Sequence, residues 1–140
     1  MIRRDSESTH RVRLNMDNSL SLLIVNDSLG ERICIRAQLQ QLNHSVDMAW
    51  DAHSGLELAV MKRYDFILID RNLADGFNYR ELILRIQSDS ELNKSTPIVI
   101  LSKDLCVDKM NQGSETYGVK PITQNDALKL MELLKKLKCS

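Results

Sequence analysis

Short, unbroken apolar runs alternate with amphipathic stretches along this chain, and that alternation restricts its possible folds more than any other feature. Leu22-Leu-Ile-Val25, Phe66-Ile-Leu-Ile69 and Ile98-Val-Ile-Leu101 are the clearest runs, with Val46 to Trp50 as a further strand. A strand that is apolar at consecutive positions has no polar face to turn to water, so helices must cover both its sides. Helical spacing separates the runs: Ile35, Leu39 and Leu42; then Leu56, Ala59 and Val60; then Tyr79, Leu82, Ile83 and Ile86. A weaker strand, Thr116 to Val119, precedes a last helix. Thr123 with Asp126 three residues on forms a variant capping box for that helix, which carries Ala127, Leu130, Met131, Leu134 and Leu137 at helical spacing. The pattern predicts an α/β protein, a (βα)5 three-layer sandwich around a five-stranded parallel sheet.

Composition narrows the function classes. The chain has 140 residues, which suits one domain and leaves little room for an attached output module. Residues 1–20 hold four arginines among Ser, Thr and Asn without an apolar period, and are expected to be a flexible N-terminal tail before a domain over 21–140. Lys plus Arg and Asp plus Glu are 19 each, which argues against a dedicated nucleic-acid binder. Cys34, Cys106 and Cys139 form no CxxC pair, so reduced thiols in a cytoplasmic protein are expected rather than a disulfide or zinc site. No apolar run is long enough to span a membrane, and the N-terminus lacks the apolar core of a signal peptide. His44 and His53 are expected on the surface, Trp50 in packing, and Lys129, Lys135, Lys136 and Lys138 on a solvated helix face.

In an open parallel sheet, ligands sit beyond the carboxyl ends of the strands, near the point where strand order reverses. Asn26 and Asp27 follow the first run, Asp70 ends the third, Ser102 ends the fourth, and Lys120-Pro121 follows the fifth. Singly, each has an ordinary explanation as a cap or turn residue. Together they bring two carboxylates, a carboxamide, a hydroxyl and an ammonium to one rim.

With Tyr64-Asp-Phe-Ile-Leu-Ile-Asp70, Pro97-Ile-Val-Ile-Leu-Ser102 and Tyr117-Gly-Val-Lys-Pro121, the run Leu22 to Asp27 resembles the response-regulator receiver pattern over roughly residues 21–138. Ala52, Gly55 and the pair Asp75-Gly76 add to the likeness. The resemblance implies a flavodoxin-like fold with strand order 2-1-3-4-5 and a two-component signalling switch. Asp70 would be the phosphoacceptor, and Asp27, Asp70 and the backbone carbonyl of Asn72 would hold Mg2+. Ser102 and Lys120 would bind phosphoryl oxygens, and Ser102 and Tyr117 would switch on phosphorylation. A sensor histidine kinase or phosphotransfer protein would be the donor and a downstream protein the target. No nucleic acid or membrane partner is expected, and a homodimer is compatible. The physical chemistry is consistent: a phosphoryl group nearing a carboxylate meets like-charge repulsion, which a divalent cation and an ammonium offset.

Three departures from the pattern stand out. Asn26 occupies a position where a second acid is usual, so the pocket loses a charge and Mg2+ should bind more weakly, by about 1–2 kcal/mol. Arg71, Ala74 and Asn78 alter the loop after the acceptor, Asn78 standing at a customary Gly position and tolerating a left-handed backbone. The stretch between Ser102 and Lys120 is about one helical turn short, which would trim the helix expected there. Asn26 and the short stretch suit a second expectation, a pseudo-receiver that docks without phosphate. An enzyme on the same fold is disfavoured: Asn72 replaces the second Asp of aspartyl phosphatases, and Asn26-Asp-Ser-Leu-Gly30 is not a flavin phosphate loop.

Overall fold

In the computed structural model, residues 19–74, 76–103 and 115–139 are described. Along the chain they form β1 (Ser21–Val25), α1 (Leu29–Gln41), β2 (Ser45–Ala49), α2 (Ala52–Met61) and β3 (Phe66–Asp70), followed by α3 (Tyr79–Asp89), β4 (Ile98–Ser102), β5 (Thr116–Val119) and α4 (Gln124–Cys139). The strands make one parallel sheet in the order β2-β1-β3-β4-β5. The helix expected between β4 and β5 falls on residues 104–114, and the expected tail on residues 1–18; both lie outside the described residues.

Alternation along the strands explains the unbroken apolar runs. Leu22 and Ile24 of β1 face a core layer with Ile35 and Leu39 of α1 and Leu130 and Leu134 of α4. Leu23 and Val25 face the other layer, with Ala52 and Ala59 of α2 and Leu82 and Ile86 of α3. Among the described residues, each face of the sheet is thus covered by a pair of helices, and successive residues of one strand enter different cores. Leu20, assigned to the tail on composition, is only 8% exposed and belongs to the first core.

Side-chain caps fix where the helices begin, and so where the chain leaves each strand. Ser28, Asp51 and Asn78 accept hydrogen bonds from the backbone of Glu31, Ser54 and Glu81. Thr123 Oγ1 accepts the Asp126 N–H at 3.1 Å, as the capping pattern predicts. Asn78 does not use its tolerance of a left-handed backbone: it caps α3 with φ −76°, and Gly76 is left-handed at φ +81°. Gly55 allows a close approach: a Cβ there would lie 2.9 Å from Val25 Cγ2, so its absence lets α2 settle against β1.

Three further expectations are corrected. Trp50 is 60% exposed, because β2 is an edge strand that ends at Ala49 and the indole lies beyond it. Val60 is 44% exposed rather than on the inner face with Ala59. His44 is half-buried, its Nδ1 accepting the Leu20 N–H at 3.0 Å, and burial lowers its pKa. His53 is exposed and meets Phe77 edge-on at 4.8 Å. Lys129, Lys135, Lys136 and Lys138 are exposed as expected. Cys34 is a free, exposed thiol, whereas Cys106 lies outside the described residues.

At the rim opposite the strand carboxyl ends, a buried polar knot fastens the layers. Asn93 Nδ2 donates to the carbonyls of Ala59 and Lys62, both at 2.6 Å, and its Oδ1 accepts the Tyr64 N–H at 2.9 Å. Ser90 Oγ donates to the Ala59 carbonyl at 2.7 Å and accepts the Asn93 N–H at 2.9 Å. One carboxamide therefore ties the exit of α2 to the start of β3. Asn93→Ala would leave the Tyr64 N–H and Lys62 carbonyl without this partner, and should cost about 3 kcal/mol in urea unfolding. Close by, Asp47 accepts from Lys62 Nζ at 2.9 Å and the Tyr64 hydroxyl at 2.8 Å. Burial pushes its carboxyl up, but those two donors outweigh burial and hold it below the ordinary 3.8. Its stabilising contribution is complete above that unfolded value and is lost as pH falls through the lower folded one. Below pH 3.8 the urea midpoint of the wild type should therefore fall more steeply than that of Asp47→Asn.

Candidate functional site

Strand order reverses between β1 and β3, and the loops leaving those strands open a crevice at their carboxyl ends. Register sets what meets there. Val25 pairs with Ile69, so Asn26 and Asp70 follow side by side, and Asp70 pairs with Leu101 beside Ser102. Ser102 pairs with Val119, and the Lys120 N–H donates to the Ser102 carbonyl at 3.0 Å. These pairings bring segments distant in sequence to one rim.

Asp70 lies at the base of the crevice, only 2% exposed. Its Oδ1 lies 3.1 Å from Lys120 Nζ and accepts the Asn72 N–H at 3.1 Å. Asp27 reaches the same loop, its Oδ2 accepting the Ala74 N–H at 2.9 Å. Both carboxylates therefore grip the segment that carries Asn72. Ser102, 7% exposed, ends β4 next to the strand that delivers Lys120.

Asn26 is buried with both ends of its amide engaged. Oδ1 accepts the Ser28 N–H at 2.7 Å, and Nδ2 donates to Glu31 Oε1 at 3.0 Å. The same Glu31 oxygen accepts from Lys120 Nζ at 3.1 Å, so the ammonium bridges two carboxylates. Burial opposes the charge on Lys120, yet its bonds to Glu31 and Asp70 outweigh burial and raise its pKa. Glu31 is shifted the other way: the Asn26 amide contributes most, burial opposes it, and Lys120 helps hold the carboxyl below its ordinary range.

Glu31 is the site residue that sequence reasoning missed. Ser28 with Glu31 three residues on reads as a capping box, in which the acid folds back to the cap's own N–H. Half of the box is present, because Ser28 Oγ accepts the Glu31 N–H at 3.2 Å. Asn26 has already taken the Ser28 N–H, and the Glu31 carboxylate turns into the pocket. The Ser-x-x-Glu spacing directly after the strand-end Asn-Asp pair was the available signal.

The donor set suits a hard divalent cation. Two carboxylates and a backbone carbonyl on one loop are oxygen ligands of the kind such an ion takes, with water completing its coordination. Among the described residues, no three His, Cys, Asp or Glu side chains converge as a metal cluster; the ligands that the resemblance implies for a cation are Asp27, Asp70 and the Asn72 carbonyl.

Tyr117, on β5, stands apart from the pocket and pairs with Ile100 of β4. Its hydroxyl donates to Glu115 Oε1 at 2.6 Å, and Arg80 of α3 forms an ion pair with Glu115 at 3.3 Å. The Glu115 bond, with burial and nearby Tyr79 adding to it, pushes the phenol up to about 12. A neutral hydroxyl is thus fastened toward α3.

No family model matches the chain. It is 33% identical over 111 residues to the response regulator ArlR of Staphylococcus saprophyticus, covering 76% of this chain and 48% of that protein. It is 30% identical over 111 residues to protein PilH of Pseudomonas aeruginosa, covering 77% of this chain and 91% of that one. The chain spans about half the length of ArlR and most of PilH. The chemotaxis response regulator CheY4 of Vibrio cholerae superposes with a TM-score of 0.67 at 28% identity, covering 81% of this chain and 97% of that one. The receiver domain of sensor histidine kinase PA1611 from Pseudomonas aeruginosa gives 0.70 at 25% identity, covering 87% and 99%; it holds a magnesium ion in its active-site cleft. On its sequence relatives and its sheet topology alike, the chain belongs to the response-regulator receiver family.

Proposed function

We propose that this receiver is a phosphorylation-dependent switch in the cytoplasm, taking a phosphoryl group on Asp70 from a sensor histidine kinase or phosphotransfer protein and signalling by contact with another protein. The observation that carries this reading is the buried Asp70 carboxylate with the Lys120 ammonium 3.1 Å away, at the strand-order reversal of the sheet. The role is that of a switch, without turnover on a small-molecule substrate.

The chemistry follows from the positions of the groups. A carboxylate oxygen of Asp70 attacks the phosphorus of a phosphohistidine, the P–N bond breaks, and the departing imidazole keeps its electron pair and takes up a proton from water. Lys120 balances charge on the phosphoryl oxygens, and Ser102 donates a hydrogen bond to one of them. Asp27, Asp70 and the Asn72 carbonyl would hold Mg2+, whose positive charge would let the two anions approach. Tyr117 would have to give up its Glu115 bond to turn inward, so switching competes with the contact to α3.

Incubation with acetyl phosphate and Mg2+ should add the mass of one phosphoryl group. That gain should disappear in Asp70→Asn and fall at least about ten-fold when Mg2+ is chelated. An unmodified wild type would instead support docking without phosphate. Beryllofluoride with Mg2+ should shift the amides of Asn72 and Ala74, and the shifts should extend to residues 115–119 if Tyr117 is released.

A further inference from the structure

Lys120 is only 4% exposed, yet its ammonium is shared equally, 3.1 Å from Glu31 and 3.1 Å from Asp70. Glu31 belongs to the first turn of α1, but a capping role does not account for its carboxylate: the Ser28 N–H that it would bond is held by Asn26. A surface ion pair does not account for it either, since its partner is buried. The strand-end residue beside it, Asn26, is locked at both ends of its amide and carries no charge. The negative charge at this corner of the pocket is therefore that of Glu31.

We propose that Glu31 is a positioning residue for the chemistry of Asp70: its carboxylate draws the Lys120 ammonium partly away from Asp70 and supplies the negative charge Asn26 lacks, favouring a divalent cation in the pocket. The proposal rests on the phosphoacceptor reading given above. Without Glu31 the ammonium would keep, among the described carboxylates, only Asp70, so the cation would lose one attractive charge and meet a more fully neutralised acceptor. Both effects act in the same direction. The position of the charge matters more than the residue that bears it. Asn26 and Glu31 are joined by a 3.0 Å hydrogen bond, so moving the acid from one to the other keeps the charge within the pocket.

Mg2+ titration of the full chain, followed by amide NMR, tests this in the wild type, Glu31→Gln and the double variant Asn26→Asp/Glu31→Gln. Mass gain from acetyl phosphate is measured in parallel. Glu31→Gln should bind Mg2+ about ten-fold more weakly and take up phosphoryl correspondingly more slowly. The double variant should return to within about two-fold of the wild type, because the pocket charge is restored. Wild-type affinity in Glu31→Gln would overturn the proposal. So would a loss that Asn26→Asp does not rescue, because a cap or fold defect at Glu31 is not repaired by transposing charge. The parent reading fails differently: a wild type that takes neither Mg2+ nor phosphoryl sinks the switch and this inference together. A wild type that takes both while Glu31→Gln behaves identically sinks this inference alone.

Discussion

Burial of one ammonium is the constraint around which this rim is built. An isolated charge removed from water costs several kcal/mol, and only close opposite charges and hydrogen bonds make it tolerable. Lys120 satisfies that condition through Asp70 on one side and Glu31 on the other. Meeting it requires β5 to end beside β4, β3 to end beneath it, and α1 to begin close to the end of β1. The parallel register delivers the first two, and the Asn26 and Ser28 turn delivers the third. The sheet topology and the electrostatics of the pocket are therefore not separable: a strand slipped by one residue would send the lysine or the acceptor to the opposite face.

The fold was legible because the evidence for it is periodic. Unbroken apolar runs demand two covered faces, and the two cores on either side of β1 are that demand met by named residues, Leu22 and Ile24 against Leu23 and Val25. The strand-end residues Asp70 and Lys120 were legible for the same reason, since a parallel sheet sends every carboxyl end to one side. Glu31 was hidden by a competing local pattern. Its spacing from Ser28 satisfied a helix cap, and nothing in a one-dimensional pattern tells that Asn26 has already taken the donor. Trp50 failed in the opposite way: its place at the end of the second run suggested packing, but an edge strand that ends one residue earlier left the indole outside.

Neutral Asn26 weakens the pocket on a charge count restricted to the strand ends, and that count is incomplete. A carboxylate four residues after Asp27 occupies the same corner and joins the same lysine. Side chains on the first turn of a helix that follows a strand belong to the strand's carboxyl rim as fully as the loop residues do.

The Asn93 knot has a consequence for the molecule as a whole. By tying the exit of α2 to the start of β3 through the buried Asn93 carboxamide and Ser90 hydroxyl, it fastens the far rim with groups that make no contact with the acceptor. Each rim then answers to a separate demand, one to endurance and the other to chemistry. A change in the loops above Asp70 leaves the bonds of the far rim in place.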